Sequence, residues 1–139
     1  THLPLDYVLL MLGTTDTKEM MGLSGVEITK GMAKLIKTIK EYKILEGTSS
    51  PNILVIVPPI VNEEANFASK LFKDGAKKGN QLRQLYKDLC KEEDVLYLDP
   101  TQKIEVDSKE GVHIDANNHE ILANLIYTKI KESLETTAK

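Results

Sequence analysis

The sequence predicts a three-layer α/β fold in one domain, with helices on both faces of a parallel sheet. Three observations carry that prediction. Apolar runs without polar alternation recur along the chain, helical apolar stripes separate them, and the junctions carry turn or capping signatures. A run that is apolar on both faces and rich in β-branched residues suits a parallel strand covered by helices on each side.

The first strand is expected in Tyr7-Val8-Leu9-Leu10-Met11-Leu12, which ends at Gly13. The second, Pro51-Asn52-Ile53-Leu54-Val55-Ile56-Val57-Pro58-Pro59, is bracketed by prolines. A weaker third, Val95-Leu96-Tyr97-Leu98, closes on Asp99-Pro100. Between the first two, Ser24 and Glu27 form a capping-box signature ahead of Ile28, Met32, Leu35, Ile36 and Ile39, which share one helix face. Gly47-Thr48-Ser49-Ser50-Pro51 then breaks the pattern. Residues 66–92 predict one long helix or two, striped by Leu71, Leu82, Leu85, Tyr86 and Leu89, with Gly75 and Gly79 marking an irregularity. Asp115 is the expected N-cap of a last helix that buries Leu122, Leu125, Ile126 and Ile130 and frays from Glu135. Strands alternating with helices of this length imply right-handed parallel crossovers. Because the first strand has nothing before it, further strands are expected to precede Leu5, or another chain to cover the sheet's outer edge.

Composition narrows the function. The 139 residues suffice for one domain with a core, and not for two. Charged residues make up 28% with both signs interspersed and a net charge of −3, which leaves no basic stripe for nucleic acid. Residues 7–12 and 53–60 are the longest apolar runs and are far too short to span a bilayer. Cys90, the only cysteine, fits a reducing compartment, so a cytoplasmic location is expected, with neither nucleic acid nor membrane as partner. Gly13 lacks the second glycine before a lysine that a phosphate loop needs. The three histidines have no cysteine partners and no close pair on one helix face, so neither a metal nor a cofactor is expected.

The chemistry concentrates at one edge. In an open parallel sheet, ligands bind beyond the carboxyl ends of the strands. Gly13-Thr14-Thr15-Asp16 follows the first strand, and Glu110-Gly111-Val112-His113 lies between the third strand and the last helix, so topology brings both there. His113 is the natural general base, since an imidazole can take a proton from a hydroxyl and return it to a leaving group. Glu110, three residues earlier, is placed to accept a hydrogen bond from the other ring nitrogen and fix the tautomer. Spacing alone leaves open a second reading, in which His113 only caps the last helix. Thr15 and Asp16 read either as turn residues bonding their own backbone or as support for an oxyanion. His119, near the start of the last helix, is expected to bond loop backbone. His2 is expected in a mobile terminal segment, and Cys90 in the core.

Several of these segments resemble blocks of the SGNH (GDSL-type) serine hydrolases. Residues 4–18, with Leu12-Gly13-Thr14-Thr15-Asp16 and Lys18, are similar to the third block of the arylesterase/acyltransferase branch, which reads Leu-Gly-Thr-Asn-Asp with a Lys soon after. Val57-Pro58-Pro59-Ile60 resembles that branch's proline run, and Leu71-Phe72-Lys73-Asp74-Gly75 its Phe-Glu-Gly segment. Glu110-Gly111-Val112-His113-Ile114-Asp115-Ala116 resembles the final block, with its acid-x-x-His element. The order is right along essentially the whole chain. The resemblance implies a flavodoxin-like SGNH hydrolase fold and an ester hydrolase that works through an acyl-enzyme. It implies His113 as base, Glu110 as its orienting acid, and Thr15 beside the oxyanion. It implies Thr14, Lys18, Phe72 and Val112 near the acyl or alcohol pocket, a small ester as substrate, and a homo-oligomer.

Three departures qualify that likeness. The family's Asn is Thr15, and a lost oxyanion donor costs roughly 2.7–4 kcal/mol in a well-studied protease, of which a hydroxyl recovers part. The family's Asp is Glu110, one methylene longer. The Gly-Asp-Ser turn is absent: Ser24, Ser49, Ser50, Ser69, Ser108 and Ser133 are the only serines, and none follows Gly-Asp. Ser108 follows an Asp but is expected on a loop. The chain therefore reads as the C-terminal portion of an esterase domain, inactive alone and associating with itself or with a missing N-terminal segment. The alternative is a non-catalytic binding or assembly module on the same fold. A flavodoxin-like small-ligand domain is the third reading, and it lacks the hydroxyl-rich phosphate loop.

Overall fold

The structure is a computed structural model that describes residues 3–42 and 49–138. His2, Gly47 and Thr48, singled out above, lie outside the described residues. Three strands, β1 (Tyr7–Leu10), β2 (Asn52–Ile56) and β3 (Leu96–Leu98), form one parallel sheet in the order β1-β2-β3. Val8 pairs with Ile53 and Leu10 with Val55, while Leu54 pairs with Leu96 and Ile56 with Leu98. The helices are α1 (Gly25–Glu41), the single turn α2 (Asn66–Ser69), α3 (Gly75–Glu93) and α4 (Ala116–Thr137).

The central strand explains the layering. Successive side chains of a strand point to opposite faces. Ile53, Val55 and Val57 pack against Ile28, Met32 and Ile36 of α1 and against Leu82, Tyr86, Leu89 and Cys90 of α3. Leu54 and Ile56 face the other way, onto Leu122 of α4 and Ile104. Both faces of β2 are buried, which is why its sequence shows no alternation. Cys90 is indeed core, and burial pushes its thiol up to about 11, so it is an inert hydrophobe at neutral pH.

The caps act as the sequence implies. The Ser24 hydroxyl accepts from the Glu27 amide at 3.3 Å, and the Glu27 carboxylate accepts from the Ser24 amide at 2.8 Å. The Asp115 side chain accepts from the Asn118 amide at 2.8 Å and starts α4. Of the one long helix or two expected over residues 66–92, two form, and Asp74 between them adopts φ 60°, a left-handed conformation that no α-helix can contain. Other expectations need correction. Leu71 belongs to the connection and not to the α3 stripe. Leu35 is 41% exposed, turned toward a groove beside the loop after β1 instead of the core. The last helix runs to Thr137, whose hydroxyl donates to the Ser133 carbonyl at 2.9 Å. The loop bond expected of His119 is made by its neighbour, since Asn118 Oδ1 accepts from the Glu105 amide at 3.0 Å.

β1 is an edge strand, and among the described residues no strand pairs with its outer side. Leu9 on it and Met11 and Leu12 just after it are exposed. No helix among the described residues is long and apolar enough to cross a membrane.

Leu54, fully buried between the sheet and α4, sets the first test. Leu54→Ala should lower unfolding free energy by about 2–5 kcal/mol in urea titrations. A change near zero would mean that α4 does not close this face.

Candidate active site

The loop after β1 is shaped by a glycine that nothing larger can replace. Gly13 is buried with φ +134°, and a Cβ there would lie 2.9 Å from the Tyr86 hydroxyl and 3.0 Å from Leu82 Cδ1. The Tyr86 hydroxyl donates to the Leu12 carbonyl at 3.0 Å. Burial, with the Asp16 charge adding to it, pushes this phenol well above its ordinary range, so it stays a neutral donor. The chain then makes a tight turn, Thr15–Thr17. Thr17, 2% exposed, closes it: its amide donates to the Gly13 and Thr14 carbonyls, and its hydroxyl donates to Thr14 at 2.7 Å. The backbone-bonding role considered for Thr15 and Asp16 thus falls to Thr17. Thr15 itself is exposed, and its hydroxyl has no partner among the described residues.

The loop after β3 is organised around Asp107. Its amide donates to the His113 carbonyl at 2.7 Å, and its carbonyl accepts from the Gly111 amide at 2.8 Å. Its Oδ1 accepts from the amides of Lys109 at 2.7 Å and Glu110 at 3.2 Å. Within that turn, Glu110 Oε1 accepts from the amides of Val112 and His113, and Oε2 lies 2.8 Å from His113 Nδ1. The His113 amide, its ring and the Val112 amide together hold the Glu110 carboxyl below the usual carboxylate range, against a smaller opposing effect of burial. The His113 side chain is 80% exposed, and its Nε2 has no partner among the described residues. Its ring therefore serves Glu110, while Asp115 caps α4.

A small apolar hub joins the two loops. Val61, Ala65, Ala68 and Phe72 are buried together, with Leu71, Ala76 and Val112 packed on them. The Glu19 amide donates to the Leu71 carbonyl at 2.9 Å from the first loop. From the second, the Asn62 amide donates to Gly111 at 2.8 Å and the Ala68 amide to Glu110 at 3.1 Å. Gly111 has φ +79°, and a Cβ there would sit 2.4 Å from the Asn62 carbonyl oxygen and 2.7 Å from Ala65 Cβ. The His loop thus lies flat on α2.

The expected pocket residues divide between two places. Lys18 Nζ stands 5.8 Å from the centre of the Phe72 ring, and Val112 packs on the hub that contains Phe72. Phe72 is only 1% exposed, so it is hub core and not an open pocket wall. Thr14 and Thr15 instead line a groove of about 380 Å³ between the loop after β1 and α1, with Met11, Leu12 and Leu35. Two strand spacings, about 10 Å, separate the ends of β1 and β3, from which the two loops run. Ser108 lies in the exposed loop before the His turn, as expected, and no serine hydroxyl among the described residues bonds the His113 ring. No group of three or more metal-ligating side chains converges among the described residues. Sequence reasoning missed Thr17 and Asp107. Asp107-Ser108 ahead of Gly111 is a turn signature that marks the second of them.

No protein-family model and no curated protein matches the chain by sequence. Solved structures do match. A carbohydrate acetylesterase family member from Sinorhizobium meliloti superposes with a TM-score of 0.89 at 29% identity, covering 96% of this chain and 64% of its own. The chain has the SGNH hydrolase fold. A second carbohydrate acetylesterase from Sinorhizobium meliloti is 32% identical with a TM-score of 0.86, over 94% of this chain and 62% of its own. The native aryl esterase of M. smegmatis is 30% identical with a TM-score of 0.79, over 92% of this chain and 62% of its own. The chain thus spans under two thirds of the length of these SGNH relatives, all of them esterases.

Because the fold lowers Glu110, its grip on the His turn is complete above the ordinary carboxylate range and is withdrawn as pH falls through its own depressed value. The amide proton shifts of Val112 and His113 should therefore titrate together below the ordinary glutamate range in NMR. A midpoint at or above that range would contradict the arrangement.

Proposed function

We propose that the chain is the base-bearing portion of a serine esterase that cleaves small carboxylic esters, aryl or acetyl esters among them, through an acyl-enzyme. The observation that carries this reading is the pairing of Glu110 with His113 Nδ1, which leaves Nε2 free beyond the carboxyl edge of an esterase-type sheet. In the proposed reaction, His113 Nε2 takes the proton of a serine hydroxyl as that oxygen attacks the ester carbonyl. Glu110 holds the ring and stabilises the imidazolium that results. The protonated ring then returns the proton to the leaving alcohol, and a second cycle with water frees the acid. Thr15 is assigned as a donor to the developing oxyanion. The nucleophile is assigned to a Gly-Asp-Ser turn outside these 139 residues. Thr14, Lys18 and Val112 are assigned to the substrate's surroundings, with Phe72 supporting Lys18 from beneath.

The exposed edge of β1, with Leu9, Met11 and Leu12 beside it, supports association, either with a second copy or with the segment that bears the nucleophile. Buried Cys90 as the single thiol accords with a cytoplasmic location. A non-catalytic binding module is the second reading, favoured by the shorter donor at Thr15.

Hydrolysis of a short-chain aryl ester separates them. The chain alone should be inactive, and joining a Gly-Asp-Ser-bearing upstream segment should restore turnover. His113→Ala in the joined protein should lower kcat by roughly 10²–10⁴-fold. A joined, folded protein without activity, or one indifferent to His113→Ala, would favour the binding module. Sedimentation of the isolated chain should show association that Leu9→Lys weakens, and a monomer at all concentrations would rule the edge out as an interface.

A further inference from the structure

Beyond the paired Glu110 and His113, we infer that Asp107 is the positioning residue of the acid–base pair, setting the tautomer and orientation of His113 without touching its ring. The inference rests on His113 being the base. Its geometric content stands apart from catalysis.

Four main-chain groups of the turn converge on this one residue. The Lys109 and Glu110 amides donate to Oδ1 of Asp107, the Gly111 amide donates to its carbonyl, and its own amide donates to the His113 carbonyl. The first two bonds bring the backbone of Glu110 round so that its side chain folds back over the amides of Val112 and His113. The last fixes the backbone from which the imidazole projects. Glu110 then meets Nδ1 at 2.8 Å. On the opposite side, the Gly111 and Glu110 carbonyls accept from Asn62 and Ala68. The turn is therefore clamped between α2 and Asp107. With 80% of its side chain exposed, His113 has little packing of its own to hold the ring. Its orientation must come from the backbone beneath it and from Glu110, and Asp107 governs both. Dangling histidines populate both neutral tautomers, whereas a general base needs Nδ1–H toward the acid and a free Nε2.

The hydrogen bonds to the Asp107 side chain use only Oδ1, so an amide oxygen can replace it. This distinguishes an acceptor role from a role of charge. The chain as it stands, labelled with ¹⁵N, is examined by two-bond ¹H–¹⁵N correlation of the His113 ring above the ordinary imidazole range. The wild-type ring should show one tautomer, protonated at Nδ1. Asp107→Ala should collapse this to the averaged pattern of exchanging tautomers, with methyl signals of the core unchanged. Asp107→Asn should retain the wild-type pattern. If Asp107→Ala does not fold, Asp107→Glu takes its place, since it keeps the charge and displaces the acceptor by a methylene; it too should lose the single tautomer. A wild-type pattern in Asp107→Ala or Asp107→Glu would overturn the proposal, as would its loss in folded Asp107→Asn. Because no nucleophile enters the measurement, absence of esterase activity in the joined protein would refute the proposed function and leave this result standing.

Discussion

Gly111 lying against Ala65 and Ala68 is the contact on which the candidate site depends. The turn that carries Glu110 and His113 has no strand beneath it, and its exposed imidazole cannot anchor it. Close approach of backbone to α2 lets the Asn62 and Ala68 amides reach the carbonyls of Gly111 and Glu110. The connection just after α2 receives the first loop through Leu71 and Lys18 through Phe72. A four-residue helix, with Ala68 buried within it and Ala65 buried at its N-cap, thereby ties together the loops that carry Thr15 and His113.

The sheet supplies the other half of that geometry. Parallel pairing in the order β1-β2-β3 places the three loops at one edge, and burial of β2 on both faces fixes its register against α1, α3 and α4. Strong apolar packing below and short polar bonds above divide the labour. The core resists distortion, while the loops carry groups that need exposure to act. Glu110 illustrates the trade: its carboxylate spends both oxygens on the turn and the ring, which lowers its affinity for protons and keeps it an anion beside the imidazole.

Much of the fold was legible because its signals are local. Both-face apolarity announced β2, Ser24 with Glu27 announced α1, and Asp115 announced α4. The pairing of Glu110 with His113 was also legible, since acid and histidine three apart can share one turn. What stayed hidden depends on space and not on neighbours in sequence. Ala65, Ala68 and Gly111 show no periodicity, and their importance lies in how closely they let two backbones approach. Gly75 hinted at a break in residues 66–92, but which side of it Leu71 falls on is set by the connection through the left-handed Asp74 and not by the apolar spacing. Leu35 belongs to the α1 stripe by spacing, yet it faces a groove that α1 forms with the loop after β1. Phe72 matched a family segment but is core here.

The central claim is that His113 activates a serine that these 139 residues do not contain. Covalent labelling of the polypeptide joined to its Gly-Asp-Ser segment with a fluorophosphonate, located by peptide mass spectrometry, tests it most directly. The account predicts one labelled serine, outside residues 1–139, whose labelling slows sharply in His113→Ala. Labelling of Ser24, Ser49, Ser50, Ser69, Ser108 or Ser133, or a rate that ignores His113, would contradict it.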